Sequence, residues 1–228
     1  MRLLLYNAMT SPRTFLYKNT ANITSILGVL PLLLLYFDNS YRYLIPLIIF
    51  NNVMDDLDGI LAAKLNIRSR FGADLDNVCD AVAHVALALA VGVQFGGIVI
   101  GVSAIAAAAI ILRATSRLNP EQDSGGSPTN ELMRHLLFGL LLSAVFDFDA
   151  EYLVITIFLL NTISMSVPFK MSTMIRSQAK SAWSVVLVNI LLITSWLLPP
   201  TTIYIALAFL LTYLYAFLFG GIHWLRKS

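Results

Sequence analysis

The 228-residue chain is 58% hydrophobic and only 12% charged, with a mean hydropathy of +0.77. Soluble domains run near 45–50% apolar and about 25% charged, so composition excludes an ordinary soluble fold and points to an integral membrane protein of one domain over residues 1–228. A net charge of +2 gives no reason to expect nucleic acid, and the lone Cys79 excludes an internal disulfide or a cysteine-built metal site.

The opening residues, Met1 to Tyr6, are apolar too briefly for a cleavable leader, and Arg13 and Lys18 follow. Residues 1–21 fit either an amphipathic helix lying at the cytoplasmic interface or a partly ordered tail. A span needs about 20 mostly apolar residues. The hydropathy pattern predicts an all-α bundle of about eight spans, near residues 22–37, 43–65, 71–95, 97–114, 131–147, 151–168, 182–198 and 201–221. Gly96-Gly97 and Pro199-Pro200 mark two of the turns. Lys and Arg cluster before the first span, in every second connection and after the last, which predicts cytoplasmic N- and C-termini.

Six carboxylates (Asp55, Asp56, Asp58, Asp74, Asp76 and Asp80) crowd the second and third spans. Each charged residue at the centre of a span costs roughly 2.5–3.5 kcal/mol on insertion scales, so the cluster calls for a function. Asp55 and Asp58 share one helix face at i,i+3, and Asp76 and Asp80 share another at i,i+4. Counting outward from Ile67 places Asp58 opposite Asp76 and Asp55 opposite Asp80, at about 14–20 Å from the connection. Converging carboxylates need a counter-charge, and oxygen ligands suit Mg²⁺ or Mn²⁺. Mg²⁺ favours a few carboxylates plus substrate phosphates, so a phosphate-bearing substrate is expected. Gly59, Ala62 and Gly72 leave room for it. A cation-coupled transporter is the reading of another class, because intramembrane carboxylates also mark ion pathways.

These residues resemble the CDP-alcohol phosphatidyltransferase family, whose motif is D-x-x-D-G-x-x-A-R, eight residues, then G-x-x-x-D-x-x-x-D. Asp55, Asp58, Gly59, Ala62, Gly72, Asp76 and Asp80 fall in register, within residues 50–82. Ala63 stands where the family has Arg, with Lys64 next to it, rotated about 100° around the helix. The resemblance implies that Asp55, Asp58 and Asp76 hold two divalent ions on the diphosphate of CDP-diacylglycerol. Asp80 would contact a metal and act as general base toward an incoming alcohol, with CMP as the leaving group. Gly59, Ala62 and Gly72 would pack against the cytidine, and Asn22 and Ser25 match the family's T-x-N-x-x-T/S opening of the first span. Active site and termini would face the cytoplasm at the inner membrane, and family members are typically homodimers.

Three further patches resemble the phosphatidylserine synthase branch: Leu112 to Asn119, with one extra residue between Arg113 and Arg117, Gly126 to Thr129, and Ser166 to Lys170. Residues Ala81 to Val85 depart from that branch, which carries S-F-G there. L-serine is thus the first choice of acceptor, with glycerol 3-phosphate or inositol phosphate as alternatives. Lys64, Arg68, Arg113, Arg117 and Asn119 are candidates for phosphate or acceptor contacts. Arg113 and Arg117 fit equally well as membrane-interface anchors. His84 stands one turn after Asp80, placed either to orient it or to pack between helices.

Overall fold

The computed structural model describes residues 12–118, 128–167 and 182–226. These fold as eight α-helices: α1 (Pro12–Val29), α2 (Leu44–Lys64), α3 (Arg70–Phe95), α4 (Gly97–Leu118), α5 (Pro128–Phe146), α6 (Glu151–Ser166), α7 (Ala182–Leu197) and α8 (Thr202–Leu225). No strand occurs among the described residues. Among the described residues, four segments are long and apolar enough to cross a membrane: Thr14–Tyr36, Arg70–Phe95, Gly97–Leu118 and Pro199–Leu225. The apolar helices α6 and α7 are shorter, at 16 residues each.

The first described helix is already formed at Pro12, well before the residue 22 at which hydropathy starts the first span. No breaker separates the polar turn at Lys18-Asn19-Thr20 from the apolar run, so one helix carries both. Beyond Val29 it tightens into a 3₁₀ segment, Leu30–Tyr36, where Pro31 removes a backbone donor. Residues 1–11 of the expected interfacial segment lie outside the described residues.

The turn between α2 and α3 is specified residue by residue. Asn66 adopts a left-handed φ of 54°, its N–H reaches Ala63 O at 3.3 Å, and Ile67 N–H reaches Ala62 O at 3.1 Å. This paired bonding is a Schellman close. Ser69 then caps α3, its Oγ accepting from Gly72 N–H at 2.9 Å. The two carboxylate-bearing helices are therefore joined by a short turn closed by hydrogen bonds at both helix ends.

Helices α3 and α4 form the most extensive pairing in the fold. Small side chains allow it: Ala88, Ala106 and Ser103 are fully buried, and Gly92 sits directly against Ser103. Leu87, Val91, Ile110, Leu132, Leu136, Val154 and Phe158 fill the centre of the bundle. Leucines, isoleucines and valines on the outer faces remain exposed, as they do where lipid replaces water.

Candidate active site

Three helices build a cleft of about 240 Å³ at the α2–α3 turn. α1 contributes Ala21, Asn22 and Ser25; α2 contributes Asp58, Gly59 and Ala62; the turn and α3 add Arg68, Gly72 and Asp76. A Cβ on Gly59 would meet nothing within 4 Å, so this glycine leaves open space beside Asp58. Gly72 is under the opposite constraint: a Cβ there would come within 3.0 Å of Asn22 Oδ1 and 3.1 Å of Ser69 Oγ.

Behind the cleft the carboxylates converge. One oxygen each from Asp55, Asp76 and Asp80 lie within 4.8 Å of one another. Asp58 is not part of that trio; Ser25 Oγ donates a hydrogen bond to its Oδ2, and its side chain borders the cleft beside Asp76. The crowding of six aspartates in the sequence thus resolves into a trio, one neighbour and two outliers. Asp74 turns outward toward Arg70, 4.0 Å away. Asp56 lies about 100° round the helix from Asp55 and faces α7 instead, where its Oδ2 accepts from Asn189 Nδ2 at 2.7 Å and from Asn52 Nδ2 at 3.3 Å.

On its far side Asp80 borders a second, much smaller cavity with Asn77, Arg113, Arg117 and Thr129. Asn77 Nδ2 donates to Ala114 O at 2.8 Å, tying α3 to α4 one turn before Asp80. Arg113 is 5% exposed, whereas Arg117 is exposed. Of the other basic candidates, Arg68 lines the cleft, Lys64 is exposed and does not, and Asn119 lies outside the described residues. His84 is buried, and its Nδ1 has no hydrogen-bond partner.

The donor set fits a hard divalent cation. It is entirely carboxylate oxygen, and Asp76 Oδ1 is buried without a hydrogen-bond partner, a cost that an ion would relieve. Asp58 lies outside this trio and lines the cleft together with Asp76.

The pattern of motif residues gave no hint of a polar network linking α2, α5 and α7. Asn130 Nδ2 donates to Asp55 Oδ2 at 2.7 Å. One turn on, Arg134 Nε and Nη2 both donate to Asn52 Oδ1, at 3.2 and 3.1 Å, while its Nη1 donates to Glu131 Oε1 at 2.8 Å. Asn52 Nδ2 in turn donates to Asn189 Oδ1 at 2.8 Å. The available signal was the presence of buried amides within apolar runs, each needing a partner.

A family model described as CDP-alcohol phosphatidyltransferase matches residues 18–226, nearly the whole chain. No curated protein and no solved structure matches the chain.

Proposed function

From the premise that the chain belongs to the CDP-alcohol phosphatidyltransferase family, an enzyme family that builds phosphate-bearing lipid head groups, we propose that it transfers a phosphatidyl group from CDP-diacylglycerol to L-serine. Its apolar helices and this membership make it an integral membrane transferase of phospholipid synthesis. The reading is carried by one observation: Asp55, Asp76 and Asp80 share a centre that opens on one side to a cleft and on the other to an arginine-lined cavity.

The cleft receives the nucleotide. Asn22, Ser25, Gly59, Ala62 and Gly72 form its walls, and Arg68 at its rim meets the phosphate charge in place of the arginine that Ala63 replaces. Asp55, Asp58, Asp76 and Asp80 would hold Mg²⁺ or Mn²⁺, two ions in all. When bound, these ions neutralise the charge that develops on the diphosphate. The acceptor enters beside Asp80. Its carboxylate pairs with Arg113 and Arg117, whose guanidinium forks suit a planar anion. Asp80 takes the proton from the serine hydroxyl as that oxygen attacks the phosphatidyl phosphorus; the bond from phosphorus to the CMP oxygen breaks, and CMP leaves with the electron pair. The phosphoanhydride bond supplies the driving force. The arginines and lysines of alternate connections support a reading in which both termini and the cleft face the cytoplasm.

The test is a panel assay. Purified protein in lipid receives CDP-diacylglycerol with serine, glycerol 3-phosphate, inositol phosphate or water alone. Phosphatidylserine formed together with CMP, and only with metal, supports the reading. New phospholipid from another acceptor overturns serine while keeping the chemistry; no CMP from any acceptor overturns the transfer itself.

A further inference from the structure

Asn130 belongs to no part of the family motif and sits on α5, a helix that carries none of the four motif carboxylates, yet its amide donates to Asp55 at 2.7 Å. It is 3% exposed and stands in the first turn of α5, where Thr129 Oγ1 donates to its Oδ1 at 3.4 Å. The chemistry of this donor matters. A guanidinium in the same place would satisfy Asp55 and also cancel the charge that an ion needs. An amide fixes the direction of the carboxylate and leaves its charge intact. The guanidinium closest to this position in sequence, Arg134, is turned away onto Asn52 and Glu131. There it fastens α5 to α2 three residues before Asp55, so the amide at Asn130 arrives in register.

We propose that Asn130 is the positioning residue for Asp55, aiming that carboxylate at the centre it shares with Asp76 and Asp80, so that α5 forms part of the ion-binding frame. The inference rests on the divalent-ion reading above. Carboxylates that ligate a metal are held by outer hydrogen bonds, and losing such a partner costs about 10- to 100-fold in metal affinity.

The test compares the wild-type protein with Asn130→Ala, Asn130→Ser and Asn189→Ala, in detergent without nucleotide or lipid. Thermal unfolding is followed while MnCl2 is titrated. The wild type should gain melting temperature saturably with Mn²⁺. Asn130→Ala should raise the half-saturating Mn²⁺ by about tenfold or more. Asn189→Ala should melt lower with the half-saturating Mn²⁺ unmoved, because it removes only the α7 contacts to Asn52 and Asp56 and leaves the Arg134–Asn52 and Asn130–Asp55 bonds in place. With substrates present, Asn130→Ala should recover most of the wild-type kcat once Mn²⁺ is saturating. If Asn130→Ala does not fold, Asn130→Ser, whose hydroxyl is too short to reach Asp55, is read by the same criterion. A half-saturating Mn²⁺ equal to that of the wild type overturns the positioning role. A wild-type protein whose melting ignores Mn²⁺ overturns the ion reading instead.

Discussion

Ser25 on α1 donates a hydrogen bond to Asp58 on α2, closing the cleft wall where both side chains are buried. This contact ties the first helix to the motif helix at the point where a nucleotide would enter. Replacing Ser25 by Ala leaves a buried carboxylate one donor short, which costs about 1–3 kcal/mol. The Ser25→Ala protein should unfold at lower temperature and show a raised KM for CDP-diacylglycerol. Thermal melts and initial rates of CMP release measure both; unchanged values would separate Asp58 from α1.

Asp80 is the member of the trio that also lines the arginine-bearing cavity, which under the proposed function puts it within reach of an acceptor hydroxyl. Asp80→Asn keeps the shape and loses the basicity. Turnover should fall by about 10²- to 10⁴-fold, the usual contribution of general-base catalysis. Helix content by circular dichroism should stay at the wild-type level. Wild-type turnover in the Asp80→Asn variant removes Asp80 as the base.

The donor set makes a prediction about ions. Oxygen ligands without His or Cys favour Mg²⁺ and Mn²⁺ over soft metals. Treatment with EDTA should abolish CMP release, and adding Mg²⁺ or Mn²⁺ in excess should restore it. Activity that survives exhaustive chelation would mean that the carboxylates serve without an ion.

Much of this architecture is legible in the residues, for identifiable reasons. Long apolar runs broken by Gly96-Gly97 and Pro199-Pro200 mark helices with little ambiguity, and the helical period alone places Asp55 and Asp80 at one depth. What eluded the pattern depends on packing between helices distant in sequence. Asn130 lies 75 residues from Asp55, and Asn189 lies 133 from Asp56. A lone amide has no spacing signature, so nothing marks which of several buried asparagines meets which carboxylate. Asp56 shows the converse: it is adjacent to Asp55 in sequence, and one step round the helix sends it to a different neighbour. The polar turn that α1 carries ahead of its apolar run escaped for a third reason, since hydropathy measures where a chain can cross lipid and not how far a helix extends.

The α3–α4 contact yields a prediction that joins packing to the site. An ideal Cβ built on Gly92 would fall 2.0 Å from Ser103 Oγ and 2.6 Å from Ser103 Cβ. The hydroxyl cannot simply swing away from its place, because it donates to Ile100 O at 2.8 Å, and the Cβ is fixed to the backbone of α4. Gly92→Ala must therefore push the two helices apart, at a cost of about 1–3 kcal/mol for overpacking. Because Asp80 is carried by α3 and Arg113 by α4, the same displacement should loosen the cavity between them and lower kcat/KM for the acceptor. Adding Ser103→Gly removes both clashing atoms and leaves Val99 O, at 3.3 Å, as the remaining close neighbour. The double variant should then regain most of the lost stability and activity, a coupling that a four-protein cycle of thermal melts resolves. A Gly92→Ala protein as stable as the wild type would show that α3 and α4 do not approach this closely, and that the distance from Asp80 to Arg113 is set elsewhere.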